Sequence, residues 1–148
     1  MVTIPQRNLI AKFLFGRSIS GEELLKLSPA SFYIGLSEDE LTENGVITGE
    51  LTSGGYKRAK VENTYGFNGT FSESANNGAV TNEYKEIRFE KSTEVWPAVK
   101  SVFISPNAEP TEGEFAMYIA AVDIQEIPSG VNLYYDKGAL QLSIGAGE

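Results

Sequence analysis

The chain of 148 residues contains no cysteine and no histidine. The first absence excludes disulfides, and both together leave nucleophilic mechanisms of the Ser-His and Cys-His type without thiol or imidazole. A zinc site would have to be built from carboxylates alone, without its usual donors. Positive charge is also scarce: 12 Lys and Arg stand against 20 Asp and Glu, a formal net charge of −8. That sign argues against a coat for phosphate backbones, so nucleic acid is not an expected partner. No segment approaches the ~18 apolar residues of a membrane span, and the first residues lack the small-residue cleavage site of a secretory leader. The expectation is a soluble chain with no membrane partner, no cofactor and no metal. Absence of Cys suits the cytoplasm and equally a particle surface that later meets oxidising surroundings.

What charge there is lies unevenly. Arg7, Lys12 and Arg17 give residues 1–17 a charge of +3 with no acid, leaving nine basic and 20 acidic residues, a net −11, in the other 131. This basic segment overlaps a helical pattern. Leu9, Ile10, Phe13 and Leu14 recur at helical spacing within Ile4 to Phe15, Pro5 suits a first turn, and Gly16 is placed as a stop. A second short turn follows at Ser20 to Leu25, where Ser20 and Glu23 have the spacing of a capping box, and Pro29 ends it.

From Ser31 the pattern changes to short runs of β-branched and aromatic residues separated by Gly, Asn, Ser and Pro. Candidate strands are Ser31 to Ser37, Tyr56 to Glu62, Gly66 to Ser72, Gly78 to Asn82, Glu86 to Phe89, Lys100 to Ser105, Glu114 to Val122, Val131 to Tyr135 and Leu140 to Ile144. So many short strands in about 120 residues fit a sandwich. Tyr56 to Glu62 has one modestly apolar face, which places it near an edge that its lysines guard. Asn77-Gly78 is a turn signal. The expected organisation is an N-terminal helical segment over 1–30 and a β-sandwich domain over 31–148, with no internal repeat.

Chemistry-bearing groups are few. Glu38-Asp39-Glu40 with Glu43 is the densest set of hard oxygen donors, but it lacks the order of a calcium loop and reads as part of a solvated connection running to Gly55. Ser53-Gly54-Gly55 lacks the lysine and helix of a phosphate loop and reads as a tight turn before a strand. Nothing in the spacing sets two carboxylates across a cleft as glycoside hydrolysis requires. Seven tyrosines and Trp96 offer either sugar-stacking surfaces or core packing. Tyr134 and Tyr135 point to opposite faces if they lie on a strand, one inward and one outward.

Several of these runs form an ordered set: Phe32-Tyr33-Ile34-Gly35-Leu36-Ser37, Ser53-Gly54-Gly55-Tyr56-Lys57-Arg58, Ala79-Val80-Thr81-Asn82, Ile87-Arg88-Phe89, Trp96, Ile127-Pro128-Ser129-Gly130-Val131 and Gly138-Ala139-Leu140-Gln141-Leu142-Ser143-Ile144. The set resembles a family of small structural proteins of tailed bacteriophages known as phage tail fibre proteins. The chain departs from that pattern at Phe103 and Ile119, where glycines are usual, and at Asn132, where an acid is common. Gly21 to Ser28 looks like an insertion.

The resemblance implies a mainly β, jelly-roll-like antiparallel sandwich with a short N-terminal α-helix, and no enzyme activity. It implies a virion component assembled in the host bacterial cytoplasm, bound to major capsid or tail subunits as decoration, cement or fibre-associated protein, and homo-oligomeric. The residues expected to bind a partner are Arg7, Leu9, Ile10, Lys12, Phe13, Leu14 and Arg17. Their apolar side chains must bury against something, and their cations suit an acidic neighbour, in which case added salt weakens attachment. The same helix can instead cap the open end of its own sandwich. An alternative function is a module for host-surface glycan, with Tyr65, Asn68 and Asn76 in suitable turn-rich segments.

Overall fold

Alternation along Phe32-Tyr33-Ile34-Gly35-Leu36-Ser37 sends Ile34 and Leu36 to one face and Gly35 and Ser37 to the other. In the computed structural model, which describes residues 1–16, 19–64, 70–72 and 79–143, all four are buried. This segment is β1 (Ser31–Ser37), preceded by α1 (Ile4–Leu14) and α2 (Gly21–Leu27). It is followed by β2 (Ala59–Glu62), β3 (Ala79–Thr81), β4 (Ile87–Arg88), β5 (Val99–Ser105), β6 (Tyr118–Ile124), β7 (Tyr134–Tyr135) and β8 (Gln141–Ser143). The architecture is mainly β with a short helix at its N-terminal end, as expected.

All strand pairings among the described residues are antiparallel. The principal sheet has the order β2-β1-β5-β6, and β3-β8 and β4-β7 form two small sheets. β2 therefore lies at an edge, with Lys60 and Glu62 outward and Ala59 and Val61 inward. The main core gathers Ile34, Leu36, Ala59, Val61, Val102 and Ile104 from the principal sheet with Ile87, Phe89, Trp96 and Leu140. Val80, Tyr135 and Leu142 from the small sheets pack against it. Each fully buried Val, Leu, Ile or Phe contributes about 1.5–3 kcal/mol, so this core dominates the stability.

Strands are shorter than the apolar runs suggested because neighbouring backbone groups find other partners. Gly54 and Gly55, with φ of 69° and 77°, turn the chain before Tyr56, so the ladder of β2 starts only at Ala59. Glu114 closes a turn on Thr111 and does not open β6. Val131 and Leu133 accept bonds from the Ser92 and Phe89 amides outside any strand. At the other end β6 runs on to Ile124, past a bulge opposite Lys100. The expected strand at Gly66 to Ser72 falls mostly outside the described residues, as do the Asn77-Gly78 turn and Ile144.

The principal sheet is covered on its second face as well. Phe103, Ala116 and Ile119 form a smaller apolar cluster there, with Met1, Leu41 and Ile47 against it. Phe103 and Ile119 are paired across β5 and β6. These two bulky residues are thus cross-strand neighbours inside one cluster. The connection after β1 is accordingly only partly solvated: Glu38, Asp39 and Glu40 are exposed, whereas Leu51 is buried and Glu50 turns inward.

Candidate functional site: an apolar helix pair on an acidic body

The start of α1 is bound to the edge of the principal sheet. Thr3, its N-cap, accepts from the Gln6 amide, donates through Oγ1 to the Ala116 carbonyl at 2.5 Å, and bonds through its own N–H to the Met117 carbonyl. Val2 bridges Tyr118, and the Ile119 N–H donates to the Met1 carbonyl, so residues 1–3 extend the sheet beyond β6. The Ile4 N–H reaches the Glu43 carbonyl at 2.7 Å, and Arg7 pairs with the Glu43 carboxylate at 2.9 Å.

α2 is capped as its sequence specified, with Ser20 and Glu23 exchanging side-chain and backbone bonds. Lys12 joins the helices by donating to both Glu23 oxygens at 2.8 and 2.9 Å. That hydrogen bond, followed by the one from the Ser20 amide, holds the Glu23 carboxyl below its ordinary pKa.

Burial in α1 runs opposite to polarity. The helix residue it buries is Gln6, whose Oε1 has no hydrogen-bond partner. Leu9 and Ile10 are half-buried, whereas Phe13 is 51% exposed, Leu14 65% and the following Phe15 82%. On α2, Leu24 and Leu25 are exposed as well. Several large apolar side chains are therefore in contact with water on two joined helices, where single exposed residues would need no explanation. Of the residues expected to bind a partner, Leu9, Ile10, Lys12, Phe13 and Leu14 lie on this helix. Arg7 is tied to the body, and Arg17 lies outside the described residues. Phe15, Leu24 and Leu25 are likewise exposed and were not singled out. Their signal was adjacent apolar residues, Phe13 to Phe15 and Leu24 with Leu25, which one helix cannot turn to a single face together.

The remaining chemistry is structural. Arg58 is buried between Glu50 and Glu114, with guanidinium to carboxylate distances of 2.8 and 2.7 Å, and its charge lies 5.1 Å from the Phe103 ring centroid. Burial works to raise the Glu114 pKa. Bonds from Arg58, Ser105, Asn107 and the Thr111 amide outweigh it and hold the group at about 2. Tyr56 donates to Glu50 at 2.7 Å and accepts from the Leu36 amide, and its phenol is pushed up first by burial and then by Glu50. Both carboxylates bond the one guanidinium, an arrangement that braces the strands.

The turn at Gly54 joins this brace to the core. Trp96 Nε1 donates to the Gly54 carbonyl at 2.8 Å, and the Trp96 ring meets Tyr56 edge-on at 5.7 Å. A Cβ at Gly54 would stand 2.8 Å from the indole. The Gly-Gly-Tyr-x-Arg run and the distant Trp are thus one packed unit.

The tyrosines divide between core and surface. Among those described, Tyr134 alone is exposed, and the Arg88 guanidinium covers one face of its ring at 4.8 Å. Tyr135 turns inward against the core, as alternation required. Tyr65, Asn68 and Asn76, expected to serve a glycan, lie outside the described residues. Among the described residues no three carboxylates converge on a metal position, and no helix is long and apolar enough to cross a membrane.

Residues 26–143 match the family model described as podophage GP4 fiber I protein gp80. The matched span begins within α2 and takes in the whole described β body, including the Gly54, Tyr56, Arg58 and Trp96 unit. Comparison with curated proteins finds no match.

Proposed function

The chain belongs to the podophage GP4 fiber I protein gp80 family, and on that premise we propose that it is a non-catalytic structural component of the virion, of the tail-fibre type, that attaches to neighbouring virion subunits through α1 and α2. The β body, a jelly-roll-like sandwich braced by Arg58, is the rigid mount. The helix pair is the contact. One observation carries this reading: α1 buries Gln6 and leaves Phe13, Leu14 and Phe15 in water, the reverse of a helix whose only task is to cap its own sandwich.

The mode of attachment follows from which groups are already used. Arg7 is paired with Glu43 and Lys12 with Glu23 inside the chain, so the described cations of α1 are engaged before a partner arrives. The apolar side chains are not. The contact is therefore apolar at its centre, the form in which a helix face enters a groove on its partner. Assembly takes place in the host cytoplasm, before release.

Removing residues 1–17 is a poor test, because residues 1–3 pair with the sheet edge. Replacing Phe13, Leu14 and Phe15 by Ser leaves that pairing intact. Particles grown with the triple variant are expected to lack the protein while the purified variant melts like the parent. Normal incorporation would refute the docking role.

A further inference from the structure

Antiparallel register sets two rows of side chains on the core face of the principal sheet. One runs Ile34, Ile104, Tyr118, and the other Leu36, Val102, Ala120. The first row ends on β6 in a ring and the second in a methyl. Protein interiors pack as densely as organic crystals, so a methyl after Leu and Val leaves space unless the covering layer fills it. The covering layer does not. It brings Ala139, a second methyl, to the same place, and a cavity of about 250 Å³ stays open there.

Its walls differ from those of the larger groove at the foot of α2, which is lined in part by Glu22, Leu25 and Lys26 of a helix that buries no residue. Here the floor is Ile34, Val102 and Ile104, none more than 5% exposed, with Leu140 buried beside them. Tyr118, Tyr135 and Gln141 supply the polarity. Burial pushes the Tyr135 phenol pKa up and the neighbouring Tyr118 phenol adds to it, so Tyr135 remains a neutral hydrogen-bonding group. Among the described residues its hydroxyl has no hydrogen-bond partner. None of the lining side chains is charged. Ala139 and Gln141 are exposed and mark the mouth.

The geometry points to a binding site for a small neutral molecule, a ring that lies against Ile34, Val102 and Ile104 and carries one hydroxyl or carbonyl toward Tyr135. Volume sets its size. A cavity of about 150 Å³ with aliphatic and aromatic walls holds benzene, so this one admits a ring with a few further atoms, up to about ten in all. The walls set its charge, because a carboxylate or ammonium would be desolvated here without a counter-charge. A mostly apolar pocket with a few placed polar groups is the ordinary form of a small-molecule site. No lining residue belongs to α1 or to the projecting end of the helix pair, so the site is separate from the docking surface and goes beyond it.

Titration of the full chain with p-cresol, read by the methyl NMR signals of Ile34, Val102 and Ile104, tests the site. Saturable shifts centred on these methyls and on Ala120, Ala139 and Leu140 are expected, with a Kd below about 1 mM. Benzoate, which has the ring but also a charge, is expected to leave them unmoved at the same concentrations. Ala139→Leu fills the cavity from an exposed position and Ala120→Leu from the sheet, and each is expected to weaken p-cresol by about tenfold or more while the chain melts no lower than the parent. Tyr135→Phe keeps the ring and removes the hydroxyl, so it should bind toluene as the parent does and p-cresol about fivefold more weakly.

Shifts that never saturate, an equal response to benzoate, or unchanged p-cresol affinity in a folded leucine variant overturns the site. Unchanged p-cresol affinity in Tyr135→Phe overturns the assignment of its polar end.

Discussion

Gly35 and Phe103 face each other across β1 and β5, and the Phe103 ring occupies the space where a Cβ of Gly35 would stand. Phe103 is fully buried and carries the Arg58 guanidinium over its ring. The pair is a large-to-small fit in the centre of the sheet. Gly35 supplies the room that the Phe103 ring needs.

Gly35→Ala is accordingly expected to destabilise the chain by about 1–3 kcal/mol, since the added methyl must displace a ring with buried neighbours on both sides. Denaturant midpoints measure it. Phe103→Leu costs stability alone but is expected to relieve the clash in the double variant, giving a coupling of about 0.5–3 kcal/mol. Additive losses would show that the ring moves aside without cost.

Arg58→Met is expected to be far more damaging, by about 3–5 kcal/mol, because it leaves Glu50 and Glu114 buried without their cation. Replacing all three by apolar residues should recover much of that loss, as the desolvation cost of the carboxylates disappears with them. Urea unfolding of the single and triple variants distinguishes the two outcomes. A mild effect of Arg58→Met would mean that water reaches the carboxylates.

Glu114 makes the same brace sensitive to acid. Its folded-state pKa of about 2 lies below the ordinary 4.5, so the folded chain binds this proton more weakly than the unfolded chain. The stabilisation is present above about pH 4.5 and is lost as pH falls toward 2. Glu114→Gln should be less stable than the parent at neutral pH and should show a flatter decline across that window. Parallel pH curves for the two chains would assign the acid response to other groups.

The local devices were legible in the sequence, and the long-range ones were not. Ser20 with Glu23, Pro5 and Gly16 act within a few residues, so the helix pair could be drawn from spacing alone. The edge position of β2 was readable from its single modestly apolar face. Arg58, however, looks like one more polar residue on an alternating strand. Its burial depends on Glu50 from the loop after β1 and on Glu114 far along the chain, partners that no local pattern announces. The surface of the helix pair was half visible: Phe13 and Leu14 show the helical spacing, but that spacing implies burial. Only the fold reveals that the body leaves them uncovered while burying Gln6 beside them.

That inversion changes what attachment should depend on. With Arg7 and Lys12 engaged by Glu43 and Glu23, a contact driven by free cations is no longer expected. Arg7→Ala breaks a surface pair with both side chains about half exposed, which is worth about 0–1 kcal/mol, and should leave attachment to particles nearly unchanged. Leu24→Ser with Leu25→Ser should weaken attachment strongly while leaving the Ser20 and Glu23 cap intact, because large apolar contacts at an interface centre carry most of its energy. Raising salt from low to physiological ionic strength screens exposed charges beyond about 8 Å and is expected to release little protein. The retained protein in washed particles, followed across a salt series for parent and variants, decides the matter. Steep release by salt together with indifference to the leucine changes would return the contact to charge and dispose of the apolar one.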